Sequence, residues 1–324
     1  MHHLIKGDKH YMVSLAVFAR KIIGRRGVFL LRNILSSLAY YTGLYEHPDS
    51  TGRPKGISAL MCTYDEEDWI EPSMLSIKNL VDEYVVVDSS SDRTPEIINS
   101  VAKEHGLNVK LLRQPPGDIV QARLTALRSS SFRWLMPIDA DMILYEKGVK
   151  KIRELIESFN PRVHYLIYWK YLLFCGDLRH VCSEEPYHVE HWMFTYSKKL
   201  TYKYLDFGRG VYMDALIAPL RLYKPVIIND VLGVHLTRVR SPEKLALKHV
   251  RLEHRELLLK YTKSGFSSEE ATLKIARDIY GVEDLRQLGL KLIEQFVKGL
   301  PIYEEQKYGP LPRILLDYLN RKEI

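Results

Sequence analysis

Cysteine is scarce in this chain, with three residues in 324: Cys62, Cys175 and Cys182. The number is odd and no two are spaced as Cys-x-x-Cys, which disfavours a disulfide framework or a zinc site built on them. The pattern predicts reduced cysteines in an intracellular protein.

Long apolar runs are also missing. The first 40 residues are rich in aliphatic side chains, but Arg25, Arg26 and Arg32 interrupt the apolar stretches, which are far shorter than a membrane span. The segment has no continuous apolar core followed by a small-residue cleavage site, so a signal peptide is not indicated. Internal repeats and low-complexity tracts are absent, and the composition is that of a globular protein.

Almost all of the net positive charge falls in the same segment. The formal net charge of the chain is +7, and residues 1–40 carry +6 of it, because seven basic residues stand there against Asp8 alone. The nearly neutral remainder argues against a nucleic-acid-binding face. Two short basic amphipathic helices broken at Gly24–Gly27 fit an anchor on an anionic membrane surface, but equally a helix pair packed on the main domain.

Beyond a turn-rich linker at residues 46–56, short apolar runs alternate with helical stretches. The runs predict four buried strands, at Ile57–Tyr64, Glu83–Asp88, Val109–Gln114 and Phe132–Asp139. This alternation predicts an α/β fold with a mostly parallel sheet flanked by helices. From Ser241 the pattern is helical, with Pro242 at the first helical position and a capping box at Ser267 and Glu270.

Polar residues collect where these strands end. Asp139 and Asp141 stand in the otherwise apolar run Trp134–Leu144, and a buried carboxylate is costly unless a cation or a hydrogen-bond donor meets it. Ligands of such sheets bind beyond the carboxyl ends of the strands. We therefore expect one site at this edge, formed by Thr63, Tyr64, Glu66, Asp88, Asp139 and Asp141.

Four motifs occur in a characteristic order: TYDEE after the first strand, VVVDSSSDRTPE at the second, GDIVQARLTAL before the fourth and DAD after it. Together they resemble the nucleotide-sugar domain of inverting, family two glycosyltransferases with the GT-A fold, the type found in dolichol-phosphate-sugar synthases. The resemblance covers residues 57–145 well and 146–240 loosely. It implies a GT-A (Rossmann-like) catalytic domain at residues 56–240. The nucleotide-sugar half would be about 56–145 and the acceptor half about 146–240, between helical segments at 1–55 and 241–324.

The resemblance also implies a reaction, the transfer of a sugar from a nucleoside diphosphate sugar to an acceptor hydroxyl. It implies Mg²⁺ or Mn²⁺, a small number of carboxylates being enough because phosphate oxygens complete the coordination shell. Asp141 would bind the metal directly, Asp139 would reach the ribose or the metal through water, and His235 would complete the shell. For a lone histidine, a structural role is the alternative.

Five further residues are implied on the nucleotide side of the site. Thr63, Tyr64 and Glu66 match the first-strand motif, in which Asp65 replaces the usual asparagine. Asp88 matches an aspartate that accepts a hydrogen bond from the nucleobase, although the serine-rich turn after it is one residue shorter than usual and an Asx-turn is the alternative. Arg123 matches an arginine that faces the nucleotide, or else is a solvated helix residue.

A general base is needed because the acceptor hydroxyl must lose its proton as it attacks. The segment Gly208–Tyr223 resembles a family region in which an acid lies on a helix below the sugar. Met213 replaces the usual glutamate there, which leaves Asp214 as the catalytic candidate. The rival acids are Asp206, Glu184, Glu185 and Glu190.

Two other functions compete with this one. A sugar nucleotidyltransferase would carry a Gly-rich loop with Arg or Lys after the first strand, and the sequence MCTYDEEDW has none. A catalytically idle nucleotide-sugar-binding protein at the membrane surface would need no intact DAD motif. The sequence predicts a cytoplasmic protein, with peripheral attachment to the cytoplasmic face if residues 1–40 bind membrane. A lipid-linked or membrane-proximal acceptor would suit that location.

Overall fold

The computed structural model describes residues 47–185, 187–206, 212–217 and 223–322, together with scattered positions between 23 and 42 that are mostly helical. The predicted helix pair of residues 1–40 therefore lies largely outside the described residues. None of the described helices is long and apolar enough to cross a membrane.

An eight-stranded mixed sheet organises the chain, in the order β3-β2-β1-β4-β7-β6-β10-β5, and β8 and β9 form a separate hairpin. The strands are β1 Ile57–Thr63, β2 Glu83–Asp88, β3 Val109–Arg113, β4 Trp134–Pro137, β5 Met142–Leu144, β6 His164–Cys175, β7 Tyr187–Thr195, β8 Thr201–Asp206, β9 Tyr212–Ile217 and β10 Tyr223–Thr237. The first four pair in parallel, whereas β7 is antiparallel to both of its neighbours and β5 is antiparallel to β10. The predicted α/β fold is confirmed.

In the described part of the chain beyond residue 47, ten α-helices cover this sheet or extend it. They are α1 Ile70–Ile77, α2 Thr94–His105, α3 Ile119–Ser129, α4 Glu146–Glu157, α5 Pro242–Glu253, α6 Arg255–Lys263, α7 Ser268–Tyr280, α8 Leu285–Val297, α9 Glu305–Tyr308 and α10 Arg313–Lys322. The capping box predicted at Ser267 and Glu270 is formed at the start of α7.

The central strands are apolar on both faces because helices cover both sides of the sheet. Successive side chains of β1 alternate between two cores. Met61 packs with α1 and α2 in one core, and Leu60 packs with Ala122 and Ala126 of α3 in the other. This two-sided burial fixes the strand ends, so that the polar residues following β1, β2 and β4 emerge at one edge.

The prediction of reduced cysteines is contradicted at Cys175 and Cys182, which form a disulfide with a Cα–Cα distance of 5.1 Å. The chain turns back on itself directly after β6, where Phe174 pairs with Val181. The Cys175 amide donates to His180, and the Cys182 amide donates to Leu173. This turn places the two sulfurs side by side without any recognisable cysteine spacing.

A close helix–helix contact joins α8 to the start of α5. At Gly289 a Cβ atom would overlap the carbonyl group of Pro242. An alanine normally stabilises a helix relative to glycine. We expect the opposite here, because Gly289→Ala must push α5 and α8 apart at a cost of about 1–3 kcal/mol of unfolding free energy.

Denaturant unfolding followed by circular dichroism measures this effect. Gln295→Ala is the matched control, since Gln295 is exposed on the same helix. Equal unfolding free energies for the two variants would contradict the tight packing of α5 on α8.

Candidate functional site

Asp88 lies beneath the site rather than on its surface. It ends β2 with no solvent exposure, and its Oδ1 accepts hydrogen bonds from Thr63 Oγ1 at 2.7 Å and from Ser90 Oγ at 2.6 Å. Its Oδ2 pairs with the guanidinium of Arg113 at the end of β3. One carboxylate thus ties together the ends of three parallel strands. Its predicted contact with a nucleobase stays a prediction.

An open pocket of about 440 Å³ lies above Asp88. Tyr64, whose side chain is exposed, forms one wall, and Arg113 and Gln114 form another. The remaining lining residues are Ser89, Ser90, Ser91, Pro115 and Pro116. A planar aromatic wall with several hydrogen-bonding groups suits a nucleoside.

Asp65 adopts a left-handed backbone conformation, with φ of 54°, which aspartate tolerates better than most residues. Its carboxylate accepts from the amides of Ser91, at 2.8 Å, and Asp92, at 3.3 Å, and pairs with Arg251 of α5. Burial raises the pKa of Asp65, but the hydrogen bonds from Arg251 and Ser91 outweigh it, so the pKa is lowered. The aspartate at this position therefore forms an ion pair with Arg251 of the C-terminal region.

Glu66 is buried against basic residues of that region. Its Oε1 accepts from Arg240 Nη2 at 2.8 Å and lies 3.6 Å from Lys248 Nζ. Burial raises the pKa of Glu66, an effect that Arg240 and Lys248 do not fully offset. Glu66 thus marks the junction between the β1 motif and the C-terminal helices.

The two aspartates of the DAD motif have different partners. Asp141 Oδ1 lies 3.4 Å from His235 Nε2 of β10, and Oδ2 lies 3.6 Å from Arg240 Nη2. Asp139 Oδ1 lies 3.5 Å from Arg123 Nη2 of α3. Burial raises the pKa of Asp141, but the hydrogen bond from His235 and the nearby cations reverse this, so its pKa is lowered. It is held as a carboxylate. Buried Asp141 thus has a cationic partner in Arg240 and a hydrogen-bond partner in His235, as a buried carboxylate requires, and the half-buried Asp139 pairs with Arg123.

A cleft of about 390 Å³ brings most of the predicted residues together. Five of them line it: Glu66, Arg123, Asp139, Asp141 and His235. Tyr64 lines the neighbouring open pocket, and Thr63 and Asp88 are buried below. The far wall of the cleft comes from the C-terminal region and includes Arg238, Lys248, His249, Leu252, Glu253 and Phe296.

The Asp141–His235 pair has a spacing that suits a divalent cation. Two adjacent ligands of an octahedral ion with bonds of about 2.1 Å lie about 3 Å apart, close to the observed 3.4 Å. Among the described residues no group of three or more His, Cys, Asp or Glu side chains is arranged to hold a metal. Mg²⁺ often takes only one or two protein ligands when phosphates supply others. The pair fits a metal that binds together with a nucleotide.

Asp214 lies on strand β9, not on a helix as the resemblance implied. Its Cα is paired with that of Tyr204 across the β8–β9 hairpin. The hairpin packs beside α3, because Tyr204 Oη contacts Asp118 Oδ1 at 3.4 Å and Tyr202 lies next to Arg123. The hairpin therefore borders the cleft. The rival acid Asp206 ends β8, and Glu190 lies on β7, more centrally in the sheet.

Sequence reasoning missed the basic residues Arg240, Lys244, Lys248 and Arg251, which meet the acidic segment after β1. Their spacing of four, four and three residues is the signal that could have identified them, since it places Lys244, Lys248 and Arg251 on one face of α5, with Arg240 just before its first turn. What they face could not be foretold, because the partners are more than 150 residues away.

Fold and site together define a class, the α/β proteins that bind ligands beyond the carboxyl ends of parallel strands. Residues 58–202 match the sequence profile of the family described as Glycosyl transferase family 2, a match that spans just under half of the chain. Residues 58–202 are thus similar to a glycosyl transferase family 2 domain. A search of the curated proteins found no match.

Two solved structures illustrate the similarity in fold. S. aureus TarS in complex with UDP-GlcNAc is 15% identical at a TM-score of 0.41, over 82% of this chain and 81% of that one. Glucosyl-3-phosphoglycerate synthase from Mycobacterium tuberculosis, in complex with Mn²⁺, UDP and phosphoglyceric acid, is 25% identical at a TM-score of 0.30. That alignment covers 37% of this chain and 44% of the synthase. Because both TM-scores are below 0.5, neither similarity bears on the substrates of this chain.

Proposed function

We propose that the protein is a metal-dependent inverting glycosyltransferase that moves a sugar from a nucleoside diphosphate sugar to an acceptor hydroxyl. The observation that carries this proposal is the Asp141–His235 pair, whose donor atoms are 3.4 Å apart in the cleft beyond the strand ends. Asp139 and Arg123 flank the pair, 3.5 Å from each other.

Asp141 and His235 would hold Mg²⁺ or Mn²⁺. When bound, the ion offsets charge on the departing nucleoside diphosphate. Tyr64 would lie against the nucleoside, while Thr63 and Asp88 keep the strand ends in place for it. Glu66 holds Arg240 next to Asp141. Arg240 would thereby keep the Asp141 carboxylate ionised and facing the cleft.

We further propose Asp214 as the general base. Its strand borders the cleft, and a carboxylate there would take the proton of the acceptor hydroxyl during attack on the anomeric carbon. A single in-line displacement of this kind inverts the configuration at that carbon. Asp206, Glu184, Glu185 and Glu190 remain the alternatives for this role.

A product assay tests the proposed reaction against its two rivals. Water stands in for the acceptor hydroxyl, so that the acceptor need not be known. UDP-, GDP-, ADP- and dTDP-linked sugars are incubated with the protein and Mn²⁺. A glycosyltransferase releases the nucleoside diphosphate. In a parallel incubation with nucleoside triphosphates and sugar phosphates, a nucleotidyltransferase instead releases pyrophosphate. An idle binding protein releases neither product.

Residues 1–40 would attach the enzyme to the cytoplasmic face of a membrane and favour a lipid-linked or membrane-proximal acceptor. Deleting them is expected to weaken binding to anionic vesicles strongly, because each Lys or Arg near such a surface contributes about 1 kcal/mol. Sedimentation with phosphatidylserine vesicles measures the effect, and high salt should weaken binding of the full-length chain.

Nucleotide affinity is the internal control for this deletion and should not change. Vesicle binding that is equally strong without residues 1–40 would assign these residues a packing role instead.

A further inference from the structure

The basic stripe consists of Arg240, Lys244, Lys248 and Arg251, on and just before α5. These residues lie outside the segment that matches the family. Three of the four are committed to carboxylates of the β1 and β2 loops. Arg240 holds Glu66, Lys244 Nζ lies 2.7 Å from Glu67 Oε1 and 3.0 Å from Asp92 Oδ2, and Arg251 holds Asp65.

Lys248 differs from the other members of the stripe. Its side chain is 44% exposed, against 1% for Arg240, 16% for Lys244 and 19% for Arg251. Its contact with Glu66 Oε1, at 3.6 Å, is too long for a hydrogen bond, and an ammonium group has three donors. Lys248 therefore keeps hydrogen-bonding capacity on the wall of the cleft that contains Asp141 and His235.

A second cation lies on the same wall. Arg238 has φ of 61°, a left-handed conformation that is costly for arginine and that occurs mainly where a surrounding structure enforces it at functional sites. Its guanidinium stacks over Phe296 at 4.4 Å from the ring centroid, and the residue lines the cleft. The wall that the C-terminal region contributes to the cleft thus carries two cations, Lys248 and Arg238, beside one carboxylate, Glu253.

We propose that Lys248 binds the diphosphate of the nucleotide, and that Arg238 adds to the positive field around it. The inference rests on the proposed function. The negative charge of Asp141 already offsets part of the charge of one divalent ion, so the ion alone leaves negative charge on the diphosphate, and more develops as the sugar departs. A flexible ammonium facing the cleft supplies a point charge for phosphate oxygens. The C-terminal helical region thereby completes the donor site that the family domain begins.

Calorimetric titration with Mn²⁺ tests the proposal, using UDP, GDP, ADP and dTDP and the corresponding monophosphates. Lys248→Gln is expected to weaken binding of the preferred diphosphate by at least about tenfold, the equivalent of about 1.4 kcal/mol. Affinity for the matching monophosphate should change by less than about threefold, and Lys248→Arg should retain diphosphate affinity to within about threefold. Lys260→Gln, an exposed lysine of α6, is the matched control and should match the wild type.

The arms of the experiment separate the two possible failures. A wild-type protein that binds none of the four diphosphates overturns the proposed function and this inference with it. The other failure concerns Lys248 alone, and it requires a wild-type protein that binds one of the diphosphates. If the Lys248→Gln variant then loses affinity for the monophosphate and the diphosphate equally, or loses affinity for neither, the role of Lys248 is overturned.

Discussion

Asp141→Ala is expected to abolish the dependence of nucleotide binding on a divalent cation. The wild type should bind its nucleoside diphosphate at least about 100-fold more tightly with Mn²⁺ than with chelator. Mutating a residue that only orients a metal ligand typically costs about 10–100-fold in metal affinity, so losing the metal itself should cost at least as much. The variant should bind weakly and equally in both conditions, because His235 alone cannot hold the ion. Calorimetric titration with and without EDTA measures this.

Asp141→Asn is the companion variant, since it keeps the shape and removes the charge. The ligand-free melting temperatures of both variants control for folding, because Asp141 also lies 3.6 Å from Arg240. Glu66 continues to pair with Arg240 when Asp141 is changed, so the local structure should survive. Metal-dependent binding that persists in Asp141→Ala would remove Asp141 from the metal site, whereas Asp141→Asn keeps a neutral oxygen ligand and should bind the ion more weakly.

Asp214→Asn is expected to lower turnover by roughly 10²–10⁴-fold without changing nucleotide affinity. Asparagine preserves most of the hydrogen-bond geometry but cannot take a proton at neutral pH. Hydrolysis of the donor by water should fall less than transfer, because water can pass its proton to solvent. Initial rates of transfer and of hydrolysis, measured side by side, give the two effects.

Glu190→Gln and Asp206→Asn are the comparison variants in the same assay. Near-normal transfer by Asp214→Asn, beside an inactive variant at either of the other two positions, would show that the base is a different acid. Loss of nucleotide affinity in Asp214→Asn would show instead that this side chain supports the donor site.

The parallel half of the sheet could be predicted closely from the sequence. β2 occupies the predicted residues Glu83–Asp88, and β1 ends one residue before the predicted Tyr64. These strands could be predicted because continuous apolar runs between turn-forming residues indicate strands that are buried on both faces. Since parallel strands end at one edge, the meeting of Glu66, Asp139 and Asp141 followed from the same pattern.

Long-range partners could not be predicted. The sequence around Asp65 does not indicate that Arg251 is its partner. The sequence around Cys175 likewise does not indicate that the turn after β6 brings Cys182 next to it. Asp214 was expected on a helix and lies on a strand, since a short apolar run such as YMDALI fits either element. The basic residues on the C-terminal wall of the cleft were also not predictable. Their position depends on how α5 packs against the acidic loop after β1.

The most direct test of the central claim is a thermal-shift screen of the wild-type protein with UDP-, GDP-, ADP- and dTDP-sugars, each with Mn²⁺ and with EDTA. A ligand at a hundredfold excess over its Kd stabilises the folded state by about 2.7 kcal/mol. The account predicts that one nucleotide sugar raises the melting temperature with Mn²⁺ and fails to do so with EDTA. Stabilisation of equal size in both conditions, or none by any of the four, would contradict a metal-dependent donor site at Asp141 and His235.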